Sequence, residues 1–78
     1  MSTENKVAIV TGGSSGIGKA VCSHLAKNGV RVYEFSRRDT QTGGITHIGC
    51  DVTDESSVCQ AVGDVAAREG RIDILVNC

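Results

Sequence analysis

Thr11-Gly12-Gly13-Ser14-Ser15-Gly16-Ile17-Gly18 is the stretch on which the fold turns. Ahead of it, Val7 to Val10 is a continuous apolar run with no polar alternation, the pattern of a strand buried on both faces of a parallel sheet. After it, Ile17, Ala20, Val21 and Leu25 recur at helical spacing, and Asn28-Gly29 supplies a left-handed stop. Strand, glycine turn and helix in that order open a βαβ unit.

Working outward, Val30 to Phe35 reads as a second strand, and Ser36 to Gly44 as a polar, glycine-bearing connection. Ile45 to Cys50 reads as a third strand. Parallel crossovers usually need about a dozen residues and a helix, so a compressed loop is expected here in place of one. Asp54 and Glu55 place negative charge in a first helical turn. Val58, Ala61, Val62, Val65 and Ala66 form an apolar stripe, and Arg68 with Gly70 closes the helix. Ile72 to Val76 is a fourth strand. With no repeats and no linker, the expectation is a single α/β unit of the Rossmann type, a parallel sheet with flanking helices.

Composition narrows the function classes. The chain has 78 residues, below the usual single-domain size of about 100 to 150, so it is a small domain or part of one. Tyr33 and Phe35 are its only aromatic residues, so the core must be aliphatic. A net charge of −1 with interspersed signs leaves no electrostatic footprint for nucleic acid or an anionic membrane. No run reaches membrane-spanning length, and the polar start from Met1 to Lys6 lacks the apolar core of a signal peptide. A cytoplasmic protein is expected. None of Cys22, Cys50, Cys59 and Cys78 stands in a C-x-x-C pair, and His24 and His47 complete no ligand set. Reduced, mostly buried thiols and no metal site are therefore expected.

A pyrophosphate needs backbone N–H groups at a helix N-terminus and no side chain in the way. Gly12 is placed to turn out of the strand, Gly16 to let backbone meet phosphate, and Gly18 to pack helix on sheet, while Ser14 and Ser15 add hydroxyl donors. The spacing is G-x-x-x-G-x-G, longer than the common dinucleotide fingerprint. The plainer alternative is a tight connection with no ligand. A sharper rival is a nucleotide-triphosphate loop, because Gly13 to Lys19 fits the first seven positions of G-x-x-x-x-G-K-[ST]. Ala20 in the eighth position lacks the hydroxyl that such a loop needs for Mg²⁺.

A dinucleotide fold meets the adenosine ribose about 20 residues past its glycines, which from Gly16 lands on Ser36. A carboxylate there favours NAD. This chain has Ser36-Arg37-Arg38, a hydroxyl and two guanidinium groups able to fork onto a 2′-phosphate. NADP(H) is the expected cofactor, with NAD(H) possible. Two arginines solvating a loop is the plainer reading. If the strand ended two residues early, Glu34 would take the ribose position and favour NAD.

Thr11-Gly12-x-x-x-Gly16-Ile17-Gly18, Asp51-Val52 after the third strand and Ile74-Leu75-Val76-Asn77 together resemble the short-chain dehydrogenase/reductase family. The resemblance implies strand order 3-2-1-4, and a pyrophosphate lined by Gly12, Ser14, Ser15, Gly16, Ile17 and Gly18. It also implies an adenine amino group on Asp51 with Val52 against the ring, and Asn77 beside the adenosine ribose. Asp51 alone reads equally as a capping or solvated carboxylate. Cys78 departs from the family's usual second Asn.

The family's Tyr-x-x-x-Lys pair has no counterpart here, and Tyr33 reads as a packing residue. Residues 1–78 are thus expected to be the cofactor-binding portion of an NAD(P)-dependent oxidoreductase, inactive by themselves. The catalytic part, a small alcohol/carbonyl substrate site and homo-oligomer contacts would lie beyond residue 78. A dinucleotide-sensing module without catalysis is the alternative from another function class.

Overall fold

The computed structural model describes residues 5–12, 16–38 and 44–78. Six elements follow in order: β1 (Val7–Thr11), α1 (Gly16–Lys27), β2 (Arg31–Ser36), β3 (Ile45–Gly49), α2 (Glu55–Glu69) and β4 (Ile74–Asn77). The strands form one parallel sheet in the order β3-β2-β1-β4. The expected Rossmann-type topology is therefore present.

The unbroken apolar run at β1 is buried along Val7 to Val10 because helices cover both of its faces. Alternate residues of each strand go to opposite sides. Val7, Ile9, Tyr33 and Phe35 pack with Ala61 and Val65 of α2. Ala8, Val10 and Val32 pack with Cys22 of α1. β2 and β3 pair directly in parallel although only residues 37–44 join them, as the compressed connection requires.

Several sequence expectations shift. In α1 the inward positions are Gly18 and Cys22, with Val21, Leu25 and Ala26 beside them, while Ile17 is 79% exposed and Ala20 is exposed. The inward stripe thus starts one residue later than the apolar residues suggested, a rotation of about 100°. In α2 Ala66 is exposed, and Ala61 and Val65 carry the buried face. Asp54 is the N-cap rather than a first-turn residue: its side chain accepts from the Ser56 N–H at 3.0 Å, and Gly70 closes the helix at φ +74°. β2 runs one residue further than expected, through Ser36. Only Cys22 and Cys50 of the four free cysteines are buried. Burial pushes the Cys22 thiol up to about 11, with the Glu34 charge adding to it, which keeps it protonated and unreactive.

β4 begins at Ile74, two residues later than expected. Asp73 precedes the first paired residue of β4, and its carboxylate bridges to β1 and to Arg71. It accepts from the Val7 N–H at 2.9 Å and from Arg71 Nε and Nη2 at 2.9 and 2.8 Å. Its own N–H donates to the Val7 carbonyl. These bonds tie the start of β1 to the start of β4, and the Arg71 bond, followed by the Val7 N–H, holds the Asp73 carboxyl below its ordinary range. A carboxyl with a depressed folded pKa stabilises above its unfolded value near pH 4 and loses that contribution as pH falls through the folded value. The wild type should therefore lose stability below about pH 4 more steeply than Asp73→Asn. Parallel denaturant midpoints between pH 5 and 2 measure this, and identical acid slopes would remove Asp73 from the account.

Candidate dinucleotide site

Three chain segments meet at the C-terminal edge of the sheet, where open parallel sheets bind ligands beside a strand-order reversal. The first is the turn after β1. Gly12 lies at φ +69°, and its N–H donates to the Phe35 carbonyl at 3.2 Å, pinning the turn to the end of β2. A Cβ added at Gly12 would stand 2.8 Å from the Cys78 carbonyl oxygen. The position thus requires glycine on both conformational and steric grounds.

The second segment is the end of β2 and its exit. Ser36, Arg37 and Arg38 reach a cavity of about 370 Å³ that Gly12 also lines. The Ser36 hydroxyl donates to the Arg38 carbonyl at 2.9 Å, so its proton shapes the arginine turn and its oxygen remains an acceptor. The guanidinium-bearing residues are exposed. The third segment, between β3 and α2, brings Asp51, Val52 and Thr53 to the same cavity. Asp51 Oδ1 accepts from Thr53 Oγ1 at 2.6 Å and from the Thr53 N–H at 3.0 Å. Those two bonds, aided by the Arg37 charge, hold the Asp51 carboxyl below its ordinary range. It is therefore an ionised acceptor at neutral pH.

Six of the residues singled out from sequence therefore share one cavity: Gly12, Ser36, Arg37, Arg38, Asp51 and Val52. Gly16, Ile17 and Gly18 form the first turn of α1 and are not among its lining residues. Asn77 ends β4, and its Oδ1 accepts from Thr11 Oγ1 at 2.9 Å, which fixes the amide so that its NH₂ faces away from Thr11. Ser14 and Ser15 lie outside the described residues. Glu34 is fully buried and within 2.7 Å of His47 Nδ1. With β2 running through Ser36, Glu34 is not at the strand end. Tyr33 is buried as a packing residue, yet its hydroxyl also donates to Glu69 at 2.6 Å.

Sequence reasoning passed over Thr11 and Thr53. Each carries a hydroxyl at the end of a strand or in the loop after one, beside a residue already singled out. For Thr53 the Asp-x-Thr spacing was the available signal, since such side chains bond backbone two residues away.

The arrangement has the parts of a dinucleotide-binding α/β protein: a glycine turn entering a helix, cationic groups at the end of β2, and a carboxylate after β3. The chain belongs to the short-chain dehydrogenase family, whose model matches residues 6–78. It is 45% identical to D-threitol dehydrogenase of Mycolicibacterium smegmatis over 95% of this chain and 33% of that one. It is 37% identical to 3-ketodihydrosphingosine reductase of Bacteroides thetaiotaomicron, over 92% of this chain and 27% of that one. Its fold superposes on ligand-free aldohexose dehydrogenase of Thermoplasma acidophilum with a TM-score of 0.93 at 36% identity, covering 97% of this chain and 30% of that one. The chain thus spans about a third of the length of the curated relatives it matches.

Proposed function

We propose that this chain is the cofactor-binding portion of an oxidoreductase that moves hydride between NADP(H) and an alcohol/carbonyl pair. The observation that carries the cofactor choice is the cavity in which Ser36, Arg37 and Arg38 stand together with the Gly12 turn and Asp51. A guanidinium offers paired donors to a 2′-phosphate, whereas an NAD site would place a carboxylate at this position. Glu34, the carboxylate nearest in sequence, is enclosed in the sheet rather than facing that cavity.

The residues fit the group. Gly12 leaves the strand without a side chain, and Gly16 starts α1, whose positive N-terminal end suits a pyrophosphate. Ser14 and Ser15 belong to the same proposed cradle, as do Ile17 and Gly18. Asp51 and Val52 would take the adenine, and Asn77 the adenosine ribose. When bound, the cofactor would give hydride in its reduced form and accept it in its oxidised form. This chain's residues bind and orient it. That the relatives include named dehydrogenases and a reductase supports the reaction class. A catalytic part beyond residue 78, a small substrate, a homo-oligomer and a cytoplasmic setting belong to the same proposal.

The test compares NADPH and NADH affinity in the full-length protein and in Arg37→Ala. NADPH should bind more tightly, and the substitution should weaken NADPH by about tenfold or more while leaving NADH nearly unchanged. Equal weakening of both cofactors, or a wild-type preference for NADH, would overturn the NADP(H) assignment.

A further inference from the structure

One cavity receives charges of opposite sign. Arg37 and Arg38 enter from the end of β2, and Asp51 enters from the loop ahead of α2. An occupant must therefore carry an anionic end and a hydrogen-bond donor apart from it. A phosphorylated aminopurine nucleoside has both, and the half-exposed Val52 offers apolar contact for a ring.

The Asp51 carboxylate is held by one residue, Thr53. Thr53 directs both its hydroxyl and its N–H to the same oxygen, Oδ1. The Asp51 N–H donates to Ser57 Oγ of α2 at 3.0 Å, which anchors its backbone. No described residue hydrogen-bonds Oδ2. Among the described residues the carboxylate thus keeps Oδ2 unengaged while Oδ1 is held by Thr53.

We infer that Thr53 is a positioning residue for base recognition: it fixes Asp51 so that Oδ2 reads the exocyclic amino group of adenine and rejects a 6-oxo purine. Fixity matters because the two bases differ by a swap of neighbouring groups. Adenine has an amino donor beside an acceptor nitrogen, and hypoxanthine has an oxygen acceptor beside an N–H. A mobile carboxylate would swing to that neighbouring N–H and bind hypoxanthine as well. A carboxylate pinned by Thr53 meets the oxygen instead, and two acceptors repel.

This inference rests on the cofactor reading above. The experiment measures dissociation constants of NADPH and of its hypoxanthine analogue for the full-length wild type, Thr53→Ser and Thr53→Val, with thermal midpoints alongside. Wild type and Thr53→Ser should prefer the adenine form by about tenfold or more. Thr53→Val keeps the backbone bond and loses the hydroxyl, so its preference should fall several-fold, with hypoxanthine affinity unchanged or improved. An adenine preference that survives Thr53→Val, or equal weakening of both ligands with a lowered midpoint, overturns the inference and leaves the cofactor reading standing. No binding of either dinucleotide by the wild type overturns both.

Discussion

His47→Ala is expected to destabilise the fold by about 3 kcal/mol or more. Glu34 is completely enclosed on the α1 side of the sheet, directly across from His47 in the β2–β3 ladder, with Oε1 at 2.7 Å from Nδ1. Its other oxygen, Oε2, is buried and has no hydrogen-bond partner among the described residues. Removing the imidazole therefore leaves a buried carboxyl without its hydrogen bond, and that deficit dominates over the lost packing. Replacing both residues by leucine removes the polar demand along with the partner. The double variant should lie within about 1 kcal/mol of wild type, or above it. Denaturant unfolding of the three proteins at neutral pH decides the matter. A mild effect of His47→Ala, or a double variant as weak as the single one, would show that the pair contributes by shape alone.

Gly12→Val should both destabilise the sheet and abolish dinucleotide binding. A side chain at φ +69° costs about 1–3 kcal/mol in backbone strain, before its contact with the Cys78 carbonyl oxygen at 2.8 Å is counted. That neighbour is backbone, and it is itself held because the Cys78 N–H donates to the Thr11 carbonyl. Relief requires the ends of β1 and β4 to move apart, which also displaces the Thr11–Asn77 bond. Gly70→Ala makes the control: that residue also has a positive φ, no described residue lies within 4 Å of a Cβ there, and it stands away from the cavity. It should lose the strain cost alone. Thermal midpoints and NADPH titration of the full-length variants measure both effects. Equal losses for the two substitutions would mean that the close approach at Gly12 carries no weight.

The sheet was legible because its central strand is apolar on both faces, and Val7 to Val10 admits few other readings. The second helix was legible from its ends, where Asp54 and Gly70 act by local chemistry that sequence records directly. The inward face of α1 was legible in part: Gly18, expected to pack helix on sheet, is buried, and Val21 and Leu25 pack against the core on that side. Cys22 was passed over in favour of Ile17 and Ala20, which are exposed. Glu34 lay inside a strand-like run, and its enclosure depends on His47 from the next strand, a pairing set by register rather than by either residue.

The candidate site divides in the same way. Gly12, the Ser36–Arg38 turn and Asp51-Val52 were found because each follows a strand and carries a residue type with distinct chemistry. Their convergence on one cavity follows from the strand order, which places the ends of β1, β2 and β3 side by side. Thr11 and Thr53 escaped notice because a threonine acquires its role only from the side chain it meets. For Thr53 that partner is two residues away, and for Thr11 it is 66 residues on.

In the proposed complex the Ser36–Arg38 turn receives the 2′-phosphate of a dinucleotide whose adenine lies by Asp51. A crystal structure of the full-length protein with NADP(H) bound tests it most directly. The expected result is the 2′-phosphate within hydrogen-bond distance of Arg37 or Arg38, the adenine amino group on Asp51 Oδ2, and the pyrophosphate over the start of α1. A dinucleotide bound with its adenosine ribose turned away from both arginines, or bound elsewhere on the fold, would contradict it.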